Sequence, residues 1–104
     1  MNKYSVEVTD TAQLDIKGIV SYINLELKNP ISAKRLLSKF RDNILSLEDM
    51  PKRQNLVKDE VLSSRGIRKL LVDNYMIFYA VDDSNNKVTV IRTLYARRDW
   101  ESLV

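Results

Sequence analysis

At 104 residues, with 44% apolar and 30% charged positions, the chain is long enough for a single domain with one modest core spanning residues 1–104. It has neither cysteine nor histidine, which excludes a disulfide framework and the usual zinc and redox sites, and removes the Cys nucleophile and His general base from any catalytic scheme. The net charge of +3 is mild, but Lys52, Arg53, Lys58, Arg65, Arg68, Lys69, Arg92, Arg97 and Arg98 crowd the second half, a distribution that suits either a polyanionic target at one end of the molecule or a solvated surface.

No apolar run approaches a membrane span, and Met1-Asn2-Lys3 leads directly into an alternating segment. A cytoplasmic protein with no membrane partner is therefore expected. Lys3 to Val8 places Tyr4, Val6 and Val8 on one face of a strand that has no sequence neighbour, so it must join a later sheet as a mixed or antiparallel partner. Asp10 is the expected N-cap of a first helix, with Gln13 reaching back in a capping box. Ala12, Ile16, Ile19, Val20, Ile23 and Leu27 recur at helical spacing along it. Asn29 as N-cap and Pro30 at the first position start a second helix, with a stripe of Ala33, Leu36, Leu37, Phe40, Ile44 and Leu47 and a stop at Met50-Pro51. So short a link predicts an antiparallel helical hairpin, its stripes packed on a sheet.

Pro51 to Arg65 is polar and irregular and reads as a crossing loop, anchored by Leu56, Val57, Val61 and Leu62. Gly66 to Trp100 then holds three strand-like runs separated by Asp73-Asn74 and by residues 82–87. Asp and Asn tolerate the positive φ that a tight hairpin turn needs, so the punctuation predicts a three-stranded antiparallel meander. On its middle strand Tyr75, Ile77, Tyr79 and Val81 share one face and Met76, Phe78 and Ala80 the other. Both sets are apolar, which predicts a central strand covered on both sides. The fold class is thus α+β: a strand, a two-helix hairpin, and a sheet completed by the meander. After Trp100 four residues are too few for a final helix.

In this order the pieces resemble the RelE/ParE superfamily of bacterial type II toxins. The likeness is carried by Asp15, Ile16, Ile19 and Tyr22-Ile23, by Ala33, Leu36, Leu47 and Pro51, and by Gly66-Ile67-Arg68-Lys69-Leu70, Asn74 to Tyr79 and Leu94 to Asp99. It implies a growth-inhibiting toxin made with a cognate antitoxin, a short acidic protein with a DNA-binding end. RelE-like members cleave messenger RNA in the ribosomal A site, ParE-like members poison DNA gyrase without being nucleases, and a degenerate member keeps the antitoxin-binding fold alone. Met76 stands where RelE-like enzymes usually carry an Arg after the central-strand Tyr, whereas Arg98 falls where they carry a basic catalytic residue. ParE-like members also often carry a basic pair there. The concentration of Arg and Lys tilts this reading toward ribosome-dependent cleavage, with gyrase as the alternative.

Metal-free cleavage, needing no cofactor, requires a base for the 2′-hydroxyl, cations for the pentavalent phosphate and an acid for the leaving oxygen. Arg68, Arg97 and Arg98 are candidates for the cations, because guanidinium matches phosphate oxygens in bidentate geometry. Without His, the base must be Tyr95, Lys69, Asp99 or Glu101; Tyr and Lys need a strong downward shift from about 10 to serve. The candidate catalytic set is therefore Arg68, Tyr95 and Arg98, with Lys69, Arg92 and Arg97 binding the target. Each has a structural alternative. Tyr95 can pack on the sheet, and Arg68 can pair with Asp73 or Asp82 across the hairpin. Trp100 reads as a terminal hydrophobic plug, and Tyr75 and Tyr79 as core. Arg97 and Arg98, adjacent on a strand, should point to opposite faces.

Overall fold

Two turns set the register of the sheet in the computed structural model, which describes residues 3–98, 100 and 102–104. Strands β2 (Ile67–Val72) and β3 (Tyr75–Asp82) pair antiparallel from Val72↔Tyr75 to Ile67↔Ala80 around the expected two-residue turn. Asp73 there takes a positive φ of 53°. A second turn, with Asn86 at φ 48°, leads into β4 (Lys87–Tyr95), antiparallel to β3. Strand β1 (Ser5–Val8) adds parallel to β4, Ser5↔Lys87 to Val8↔Val90, giving the order β1-β4-β3-β2. The sheet is mixed, and β3 is central as its double-sided apolar pattern requires.

Helices α1 (Asp10–Ser21) and α2 (Pro30–Leu45) lie over one face. Ala12, Leu36, Phe40, Ile44 and Leu47 pack there on Leu70, Val72, Ile77, Tyr79, Val88 and Val90. The N-cap of α1 is Thr9, not Asp10: its hydroxyl oxygen accepts from the Ala12 N–H at 3.1 Å, and Asp10 is the first helical residue. The reason is tertiary. Thr9 N–H donates to the Val90 carbonyl, prolonging the β1 ladder, and its hydroxyl donates to the Ile91 carbonyl, so β4 holds the capping residue in extended geometry. Gln13 reaches back to the Val8 carbonyl instead of closing a capping box.

A π turn at Tyr22–Glu26 prolongs α1, with Leu27 N–H donating to the Tyr22 carbonyl. The extra residue rotates the phase of the stripe, and Leu27 is left exposed. Asn29 caps α2 and Pro30 opens it as expected. The helix ends at Leu45, continues as a 3-10 turn over Ser46–Glu48, and the chain reverses at Met50, φ 49°.

The other face is closed by the crossing segment and the C-terminal tail. Val57 and Leu62 pack on Ile67, Phe78 and Leu94, with Trp100, Leu103 and Val104 alongside. Residues 51–65 are more ordered than their polarity suggests. A 3-10 turn (Pro51–Arg53) and a short helix α3 (Glu60–Ser64), capped by Asp59, lie in them. Gly66, at φ 75°, ends α3 in a conformation that glycine adopts without strain. Trp100 is the hydrophobic plug expected, its ring 5.0 Å from that of Phe78. Among the described residues, no helix is long and apolar enough to cross a membrane.

Tyr79, in the helix-side cluster, ties β3 to the start of the crossing segment. Its ring is fully buried and its hydroxyl donates to the Pro51 carbonyl at 2.6 Å. Burial pushes the phenol above its ordinary value, so folding favours the protonated form. Stability from this group is complete below the unfolded phenol value of about 10 and declines as pH rises through the higher folded one. Tyr79→Phe, which leaves the Pro51 carbonyl without that donor, is expected to cost about 1–3 kcal/mol in urea denaturation.

Candidate functional site

A bulge decides which way the end of β4 faces. Phe78 pairs with Arg92 but Tyr79 with Val90, so Ile91 is an extra residue on β4. Before it Val88 and Val90 face the helices; after it Thr93 and Tyr95, paired with Ile77 and Tyr75, do so. Without the bulge Tyr95 would be turned to the opposite face.

Past Val8, β1 ends and α1 takes over the edge of β4. The Asp15 carboxylate accepts from the Thr93 N–H at 3.0 Å, from Arg92 Nε at 2.8 Å and from Arg92 Nη2 at 3.0 Å. Arg92 Nη1 donates to the Leu103 carbonyl at 3.0 Å. Its guanidinium value is pushed further up, chiefly by the hydrogen bond to Asp15. Arg92 thus ties α1, β4 and the tail together. Asp15 is among the residues that carry the family resemblance, but its partner lies 77 residues away.

The other predicted residues divide among separate places. Arg68 Nη1 donates to the Gln54 carbonyl at 2.7 Å and does not pair across the hairpin. Asp73 is held by Lys39 and Asp82 by Asn85, so neither is available to it. Arg68 stands level with Tyr79, and Tyr95 level with Tyr75 on the far side of β3, an offset of four strand residues or roughly 13 Å along the strand direction. Lys69 is on the opposite face, its ammonium 6.0 Å from the Trp100 ring centroid.

Tyr95, Arg97 and Arg98 come together at the end of β4. Tyr95 is 44% exposed and meets Tyr75 edge-on at 5.9 Å, and Tyr75 meets Phe40 at 5.7 Å. Burial first, then Tyr95 and Tyr22 nearby, raises the Tyr75 phenol, which stays protonated at neutral pH. The strand stops at Tyr95, where Ala96 N–H donates to the Asn74 carbonyl and Arg98 N–H to the Tyr95 carbonyl. Arg97 and Arg98 therefore sit on a turn and do not alternate along a strand. They flank Tyr95: Arg97 lies beside Leu71 and Asn74, and Arg98 borders a hollow of about 530 Å³ between α1 and β4. Leu14, Gly18, Tyr22, Thr93 and Tyr95 line that hollow too. Asp99 and Glu101, candidate bases, lie outside the described residues.

The family model described as "ParE toxin of type II toxin-antitoxin system, parDE" matches residues 6–100. The chain belongs to this ParE toxin family, within the RelE/ParE superfamily of type II toxin-antitoxin toxins. No curated protein sequence matches it. Among solved structures, the chromosomal ParDE system of Pseudomonas aeruginosa superposes with a TM-score of 0.71 at 17% identity, covering 91% of this chain and 98% of that one. A RelBE toxin-antitoxin complex from Mycobacterium tuberculosis gives 0.67 at 23% identity over 91% and 93%. The isolated Escherichia coli RelE toxin gives 0.56 at 18% over 96% and 92%. At such identities these likenesses establish the RelE/ParE fold.

Proposed function

We propose that this toxin inhibits growth by docking on DNA gyrase through the end of the sheet that carries Tyr95, Arg97 and Arg98, and that a cognate acidic antitoxin neutralises it in the cytoplasm. The observation that carries this reading is the dispersal of the residues RNA cleavage would need. Arg68 is bound to a loop carbonyl, two strands across from Tyr95 and offset from it by roughly 13 Å along the strand direction. Arg92 is held by Asp15, and Lys69 lies on the other face. A pentavalent phosphate demands several preorganised donors converging on one point, whereas the two cations near Tyr95, Arg97 and Arg98, border different hollows. Contact with a protein surface makes no such demand. On this reading Arg97, Arg98 and Tyr95 touch the target, while Arg68, Arg92 and Lys69 hold the scaffold. The match to a ParE family model supports it further.

One observation favours messenger cleavage instead: the half-exposed Tyr95 beside Arg98 offers a phenol and a cation in one hollow. Supercoiling by gyrase and messenger cleavage on programmed ribosomes, measured side by side for the parent, Tyr95→Phe and Arg98→Ala, separate the two. The expected result is inhibited supercoiling, no cleavage, and a loss from Tyr95→Phe of about 0.5–1.5 kcal/mol, roughly 2- to 12-fold. Cleavage by the parent that falls on the order of a hundredfold in Tyr95→Phe would replace gyrase docking with the ribonuclease reading.

A further inference from the structure

We infer that the cleft between α1 and α2 binds a single-chain fatty carboxylate of medium length, its hydrocarbon on the apolar floor and its carboxylate between Lys17 and Arg41. This cleft and the hollow that Arg98 borders lie on opposite flanks of α1. It measures about 630 Å³, within the range of roughly 300–1,000 Å³ usual for small-molecule sites. Phe40 and Ile44, 1% and 8% exposed, form its floor. Ile16 and Val20 are only half-buried along one lip, and Leu37 and Leu45 are exposed along the other. The two helices thus leave a strip of hydrocarbon facing water inside a concavity. That is unfavourable in proportion to its area and is relieved by an apolar occupant.

Charge and length identify the occupant. One cation stands on each helix, Lys17 on α1 and Arg41 on α2, and neither has a side-chain hydrogen bond or ion pair among the described residues. Exposed cations are ordinarily solvated, but these two flank one apolar cleft whose wall contains no carboxylate. Its other polar side chains are the Gln13 amide and the Ser21 hydroxyl. An anionic head group is the complement, and ammonium and guanidinium on flexible stems can hold one carboxylate from both lips. The lining runs over residues 13–21 of α1 and 37–45 of α2, about 12 Å along each helix. At the bond length and angle of saturated carbon, that takes a chain of roughly eight to ten carbons, shorter than the acyl chains of membrane lipids. A nucleotide would bring a base and a sugar whose polar edges the apolar floor leaves unmatched.

Octanoate, titrated into the isolated protein and followed through backbone amide NMR, is the probe. It should shift the amides of Lys17, Val20 and Arg41 and leave those of Arg68 and Lys69 in place, with a dissociation constant on the order of 1 mM, as expected for so small a ligand. Hexanoate, shorter by two methylenes, should bind about tenfold more weakly. Lys17→Gln combined with Arg41→Gln should weaken octanoate about tenfold; both positions are exposed, so the fold is kept. Val20→Phe, which fills the cleft and keeps both cations, should abolish binding. Four results would each overturn the proposal: octylammonium binding as tightly as octanoate, hexanoate equalling octanoate, octanoate affinity undiminished in the double variant, or shifts spread evenly over the sheet. Displacement of octanoate by a smaller amount of an acidic leucine-rich peptide would also overturn it and assign the cleft to a protein segment. Because the isolated protein is titrated, failure here is independent of the outcome of the supercoiling assay.

Discussion

Asp15→Ala should destabilise this toxin by roughly 3 kcal/mol, toward the lower bound for breaking a buried ion pair. The carboxylate accepts three hydrogen bonds, two from Arg92 and one from the Thr93 backbone, and its side chain is 14% exposed against 21% for Arg92. Removing it leaves a guanidinium and an amide in a poorly hydrated place, which costs more than the pair itself contributes. Urea denaturation should show the midpoint falling by about 1–3 M, given slopes of about 1–3 kcal/mol per M for a domain of this size. Asp15→Asn, which keeps an acceptor for Thr93 and loses the charge, should lie between. Replacing Asp15 and Arg92 together by leucine should recover most of the loss, because an apolar pair of similar volume strands no charge. By contrast, Lys39–Asp73, Lys52–Asp83 and Lys87–Glu7 are solvent-exposed at the surface, and Lys39→Ala should change stability by less than about 1 kcal/mol. Equal effects at Asp15 and Lys39 would show that the pair is solvated and that α1 is held to β4 by its apolar stripe alone.

The other large effect is expected at Phe78. Its ring is fully buried in the middle of β3, on the face away from α1 and α2, between Ile67, Leu94 and Trp100. Phe78→Ala should cost about 3–5 kcal/mol, combining lost transfer energy with the cavity left behind. It also removes the surface on which the tail rests. Trp100 is the sole tryptophan, so its emission should move toward that of a hydrated indole under conditions where far-ultraviolet circular dichroism still reports a folded chain. Trp100→Ala should cost less, since it empties a site at the margin of this cluster and not its centre. If Phe78→Ala left the emission unchanged, the tail would be fixed by the Arg92 to Leu103 hydrogen bond without help from the ring.

Much of this architecture is local in origin and was legible residue by residue. The Asp73-Asn74 step determines the register of β2 on β3, because a two-residue turn leaves no slack. Alternation along β3 with apolar residues at both parities determines that it is central. Asn29-Pro30 determines where α2 begins, because the cap and the fixed φ both act within one turn. What required the tertiary structure is what depends on partners far along the chain. The β4 edge makes Thr9 the cap in place of Asp10, and the bulge at Ile91 turns Tyr95 toward the helices. Arg92 is basic in composition but neutralised by Asp15, 77 residues away, and Arg68 is claimed by a loop carbonyl. Charge is countable in a sequence, whereas its availability depends on which carboxylate or carbonyl the fold delivers to it.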